Sequence, residues 1–153
     1  MNKELFNNKT VTQIGLVVDD IDKYINAFVS ILGVQRPEIV YTGDYEKTLT
    51  RYKNSPTQAR ARLAFFELEN ITIELIEPLG EPSTWSEFLS NKGPGIHHIA
   101  FQVKSMDDHI NYLLNKNGKI VQQGSFEGGS YAYVDMSEEL GMILELLTSD
   151  NNN

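Results

Sequence analysis

Gln13, Glu74, His98 and Glu145 each carry a side chain able to ligate a cation or move a proton, and each stands in an apolar, strand-like run. The runs are QIGLVV, ITIELIE, IHHIAFQV and MILELL. A carboxylate set among Ile, Leu and Val in a buried strand is costly unless it is paired or bound to a metal. Two such carboxylates facing the same space repel each other without a cation between them. A shared divalent ion resolves both costs, and the alternative is a metal-free polar cup.

The elements that would position these residues follow a pattern written twice. Val11 to Asp19 is β-branched and apolar and reads as a strand. Asp20 can cap the helix that follows, Ile21, Tyr24, Ile25, Phe28 and Leu32 fall at helical spacing, and Gly33 ends it. Strands are expected over 60–69 and 71–77, with a further weak strand signal in 37–52. The text then returns. Ile96 to Lys104 reads as a strand, and Met106, Ile110, Leu113 and Leu114 face inward on a helix ended by Gly118. Short strands follow near 119–123, 131–135 and 142–148, with Gly128-Gly129 as a hairpin turn rather than a phosphate cradle.

Laying residue 13 over residue 98 superposes Ile14 on Ile99, Val18 on Val103, Asp22 on Asp107, Ile25 on Ile110, Asn26 on Asn111 and Gly33 on Gly118. Ile73-Glu74-Leu75-Ile76 likewise overlays Leu144-Glu145-Leu146-Leu147. The offset is 85 for the first strand and 71 for the last, so the first unit carries about 14 extra residues. The organisation is therefore α+β, two tandem βαβββ modules at 1–78 and 96–148, a linker at 79–95 and a disordered tail at 149–153. Thr84 and Glu87 have capping-box spacing, which predicts a short linker helix over 84–91 with Trp85 packing it onto the sheets.

Alternate side chains of a strand share a face. With the larger apolar set turned to the helix, Gln13, Glu74, His98 and Glu145 all face the opposite side, at equivalent points of four strands. His97 then points away from His98 as a structural or supporting residue, and His109 packs on its helix. Arg60 and Arg62 share a strand face and are candidates to clamp a substrate carboxylate or phosphate, against the alternative of solvated surface arginines. Tyr131 and Tyr133 also share a face and are candidates to line the cup.

Composition bounds the partners. In 153 residues, 41% hydrophobic, there is room for one core and no apolar run near membrane-spanning length. The absence of cysteine excludes thiolate catalysis and zinc–thiolate sites. A formal charge of −8 speaks against nucleic acid as a partner. A polar start without a signal-peptide core places the chain in the cytoplasm.

The segments QIGLVVDDIDKYINAFVSILGV, FFELENITIELIEPLG, GIHHIAFQVKSMDDHI and GMILELL resemble the vicinal oxygen chelate superfamily, the glyoxalase and methylmalonyl-CoA epimerase group, over nearly the whole chain. The resemblance implies a glyoxalase-like fold, two modules curled into a cup-shaped mixed sheet with helices outside. It implies metal ligation by Gln13, Glu74, His98 and Glu145, and a homodimer. ELIEP and HHIAFQV are most similar to methylmalonyl-CoA epimerases. Those usually carry His where Gln13 stands, whereas some glyoxalase I enzymes share the set Gln, Glu, His, Glu. The epimerases also carry a second glutamate base at a place falling near Gln58, where no acid stands.

One nitrogen and three oxygens suit Mn, Co, Ni, Fe or Zn, leaving two positions for water or substrate. Such an ion stabilises the enolate formed when a C–H beside a carbonyl loses its proton. Either Glu74 or Glu145 can act as the base, and the resemblance favours Glu145. The expected function is a metal-dependent isomerase or epimerase acting on an acyl-CoA or a small oxo acid. The alternatives are a glyoxalase I-like lyase acting on a thiol adduct, and a non-catalytic binding or resistance protein of the same fold.

Overall fold

The computed structural model of the protein describes residues 9–151. The first half contains β1 (Gln13–Val17), α1 (Ile21–Leu32), β2 (Val40–Tyr41), α2 (Tyr45–Thr48), β3 (Arg51–Tyr52), β4 (Ser55–Pro56), β5 (Arg60–Glu67) and β6 (Thr72–Leu79). After the linker helix α3 (Thr84–Lys92) come β7 (Gly95–Gln102), α4 (Met106–Leu114), β8 (Lys119–Phe126), β9 (Gly129–Met136), α5 (Ser137–Leu140) and β10 (Met142–Ser149). No helix among the described residues is long and apolar enough to cross a membrane.

Local chemistry sets the helix ends. Asp20 accepts from Lys23 N at 3.1 Å, and Glu77 on β6 accepts from Ile21 N at 2.7 Å, so two carboxylates satisfy the start of α1. Gly33 closes that helix in the left-handed region, its N–H on Val29 O. The linker helix starts one residue earlier in the capping pattern than expected. Ser83 is the N-cap and exchanges hydrogen bonds with Ser86, which frees the Thr84 hydroxyl for another partner. The second long helix also stops early, at Leu114. A turn over 115–118 replaces its last expected turn, and Leu114 is exposed rather than inward.

All strands form one curled mixed sheet in the order β2-β5-β6-β1-β7-β10-β9-β8-β3-β4. Each half places its first strand parallel to its last, β1 on β6 and β7 on β10, and the halves meet antiparallel along β1 and β7. The extra length of the first half leaves its own side of the sheet. Residues 42–50 cross over, and β3 pairs with β8 of the second half, Arg51 opposite Gln123.

The outer face is apolar and covered by helices. Val18, Ile21, Ile25, Ala64, Phe66 and Leu75 form the core under α1. Val103, Ile110, Leu113, Val134, Leu144 and Leu146 form its counterpart under α4. A third cluster, Val17, Ala61, Ile76, Trp85 and Tyr133, fills the concave side beneath α3. At the end of the chain, Ser149 closes β10 and Asp150 N donates to Gly128 O at 2.9 Å. The strand thus reaches one residue into the stretch 149–153 expected as a tail, of which 152–153 lie outside the described residues.

Candidate metal centre

Register brings the candidate ligands together on the concave face. Across β6, β1 and β7 runs a row Glu74, Gly15, His98, and across β1, β7 and β10 a row Gln13, Ala100, Glu145. The middle residue of each row is small, a glycine and an alanine, and the two are equivalents in the repeat. With no bulk in the centre, the longer side chains on either side bend inward over it. A Cβ on Gly15 would overlap Cε1 and Nε2 of the His98 ring and lie 2.6 Å from Nδ1.

Glu74, His98 and Glu145 are 7%, 0% and 4% exposed, and their ligand atoms all lie within 4.8 Å of one another. His98 Nε2 is 3.0 Å from Glu145 Oε2 and 3.6 Å from Glu74 Oε2. Neither contact is a hydrogen bond, and Nε2 is a buried nitrogen with no hydrogen-bond partner. The amide oxygen of Gln13 faces Glu145 Oε2 at 3.0 Å and Glu74 Oε2 at 3.2 Å, and only half a turn of the amide would make these hydrogen bonds. Three oxygens and a nitrogen without a hydrogen-bond partner thus crowd one another, an arrangement that favours a cation among them. Burial first, and the Glu145 charge second, push the Glu74 carboxyl well above its ordinary range. Glu74, His98 and Glu145 fit a divalent metal, and Gln13 is placed to join them.

The centre forms the floor of a cavity of about 820 Å³. Leu63 and Phe65 of β5 line it on one side, Leu147, Tyr131 and Tyr133 of the paired strands β10 and β9 on another, and Trp85, Tyr41, Thr42, Lys47 and Thr50 complete the lining. The tyrosines face the cup, as strand alternation placed them. Trp85 Nε1 donates to the Tyr133 hydroxyl at 3.2 Å, and Gln122 Nε2 donates to that of Tyr131 at 3.0 Å. Burial raises both phenols, Tyr131 to about 12, so they stay protonated beside the two carboxylates.

Arg60 and Arg62 do not reach the cavity. They lie on the outer face of β5 with Ala64 and Phe66, while Leu63 and Phe65 face inward. Arg62 pairs with Glu77 and Asp22, both at 3.1 Å, and Arg60 donates to Thr42 O and pairs with Asp44. Gln58 is exposed and outside the lining, so the cavity acids are Glu74 and Glu145 on the floor and Glu127 on the turn after β8. His109 is buried on α4, Nδ1 2.7 Å from Ser105 O.

His97 differs from expectation. The ladder between β1 and β7 slips at Gly15/Leu16, with His98 opposite Gly15 but Ile96 opposite Leu16. His97 is the extra residue of this β-bulge, and its ring joins the concave side, centroids 5.0 Å from Tyr133 and 5.3 Å from Phe88. Burial, and after it the neighbouring His98, lower its pKa well below the ordinary value. Sequence reasoning also passed over Gly15 and Ala100. The signal was available: each is a small residue two places after a candidate ligand.

Comparisons with known proteins agree with this architecture. The chain is 27% identical over 151 residues to the 2-epi-5-epi-valiolone epimerase of Actinomyces sp, covering 90% of this chain and 78% of that protein. It is 26% identical over 113 residues to human mitochondrial methylmalonyl-CoA epimerase, covering 73% of this chain and 56% of that protein. A solved structure of methylmalonyl-CoA epimerase in complex with methylmalonyl-CoA and NH4+ superposes with a TM-score of 0.64 at 18% identity, covering 94% of this chain and 96% of that one. The model of the Glyoxalase/Bleomycin resistance protein/Dioxygenase superfamily matches residues 12–134. Related to epimerases and built around a cluster of potential metal ligands, the chain belongs to that superfamily.

Proposed function

We propose that the protein is a divalent-metal-dependent isomerase or epimerase of the methylmalonyl-CoA epimerase type, moving a proton on the carbon next to a carbonyl. The observation that carries this reading is the buried cluster of Glu74, His98 and Glu145, open on one side to the cavity. Gln13, Glu74, His98 and Glu145 would hold the ion. When bound, a divalent cation there stabilises negative charge developing on a carbonyl oxygen.

The chain's own residues supply the rest. Glu145 takes the proton from the carbon next to the carbonyl, the role the family resemblance gives its position, and inversion needs a second group to deliver a proton to the other face. Glu74 sits on the other side of His98, and its raised pKa suits it to carry the proton that is delivered there. Trp85, Tyr131 and Tyr133 hold water away from the carbanionic carbon and pack against the substrate's apolar part. The cavity volume falls within the range that encloses small organic ligands, which fits an acyl thioester group or an oxo acid.

A second reading, a lyase acting on a thiol–oxoaldehyde adduct, is favoured by Gln13 in place of the histidine usual in the epimerases. Two assays separate them. In heavy water the protein should wash deuterium into C2 of methylmalonyl-CoA and leave a glutathione hemithioacetal unchanged. Turnover of the hemithioacetal without exchange at C2 supports the lyase. Inactivity on both, with the ion bound, removes both readings in favour of a binding protein.

A further inference from the structure

We propose that His97 is a positioning residue that, anchored on Thr84, holds His98 in the tautomer whose bare Nε2 faces Glu74 and Glu145. The inference rests on the reading of His98 as a metal ligand and concerns how this chain keeps that ligand ready.

The bulge at Gly15/Leu16 puts two consecutive histidines on one side of the sheet. His97 Nδ1 lies 2.9 Å from His98 Nδ1, and His97 Nε2 lies 3.1 Å from Thr84 Oγ1. His97 is 3% and Thr84 4% exposed, so this chain runs through the interior. Two imidazole nitrogens at that distance share one hydrogen, which leaves two arrangements.

In the first, His97 Nδ1–H donates to His98, and His98 carries its hydrogen on Nε2. That hydrogen would be buried without an acceptor, because Nε2 makes no hydrogen bond even with Glu145 at 3.0 Å. In the second, His98 Nδ1–H donates to His97 Nδ1, His97 Nε2–H donates to the Thr84 hydroxyl, and His98 Nε2 is a bare lone pair. An unsatisfied buried N–H is destabilising, whereas a lone pair aimed at a cation site is satisfied once the site is filled. The geometry points to the second.

The acceptor for His98 is a neutral imidazole, not a carboxylate. A third acid here would add another buried negative charge beside Glu74 and Glu145. Thr84 is held in turn, since its N–H donates to Gln122 Oε1 at 2.9 Å and the Ser83–Ser86 box fixes the start of α3. The linker helix, which has no counterpart in the repeat, thereby sets the orientation of a ligand. Partners of this kind typically change metal affinity by about 10–100-fold.

Long-range 1H–15N spectra of the metal-free, histidine-labelled protein test the assignment without any variant. His98 should carry its hydrogen on Nδ1 and His97 on Nε2; a hydrogen on His98 Nε2 overturns the proposal. Co(II) titration against a competing chelator tests the consequence. His97→Phe should weaken Co(II) binding about 10–100-fold, Thr84→Val should weaken it less, and Thr84→Ser should bind as the parent does. His98→Ala separates the two levels. Co(II) bound to it with parental affinity refutes the ligand reading itself. If it loses Co(II) while His97→Phe and Thr84→Val keep parental affinity, the positioning role alone is wrong.

Discussion

The His98 imidazole occupies the space that a side chain on Gly15 would need, and a Cβ built there overlaps its Cε1 and Nε2 atoms. The two residues face each other across the central β1–β7 ladder. Gly15 is therefore the wall against which a candidate ligand is seated. Gly15→Ala should tilt the ring and weaken metal binding by about tenfold or more, as loss of a ligand-orienting contact does. Calorimetric titration with Co(II) checks this, and unchanged affinity would show that His98 is oriented some other way.

The raised Glu74 carboxyl gives a signed pH dependence. Its folded-state pKa lies above the ordinary value of 4.5, so the stability tied to its protonation is full below that value. It is lost as pH rises through the raised pKa. Thermal melts of the metal-free protein should fall in Tm from about pH 5 toward neutrality. Glu74→Gln should flatten that fall. Metal must displace the proton, so affinity should rise with pH over the same window. A Tm of the metal-free protein that rises through this window would contradict the assignment.

Glu145→Gln removes the proposed base and keeps the shape of the side chain. Activity should fall by about 10²–10⁴-fold, the usual contribution of a positioned base. Rate measurements on protein shown to retain its metal isolate this effect. Full activity would move the role to Glu74.

Arg62 is a support for α1, since Glu77 bridges it to the Ile21 amide. Arg62→Ala should cost about 1 kcal/mol in urea unfolding, since Glu77 is partly buried while the exposed Asp22 contact is screened, and leave KM unchanged. A large rise in KM would return the residue to the substrate.

Most of the centre could be read from residue order because two simple periods coincide there. The offset of 85 aligns Gln13 with His98, the offset of 71 aligns Glu74 with Glu145, and strand alternation turns all four to one face. The same alternation failed at His97, because a bulge adds one residue to a strand and leaves no local trace in composition. It also failed to place Arg60 and Arg62. Both faces of β5 carry apolar residues, Ala64 and Phe66 outside and Leu63 and Phe65 inside, so periodicity could not say which side the arginines take. The pairing of β3 with β8 was out of reach for a different reason: it joins residues about 70 apart through a two-residue strand, β3, that has no pattern of its own.

Metal content tests the central claim most directly. The account predicts one divalent ion per chain, bound with submillimolar affinity and lost in His98→Ala and in the Glu74→Gln, Glu145→Gln double variant. A protein that binds no divalent cation at this stoichiometry, or binds it equally well without those side chains, would contradict it.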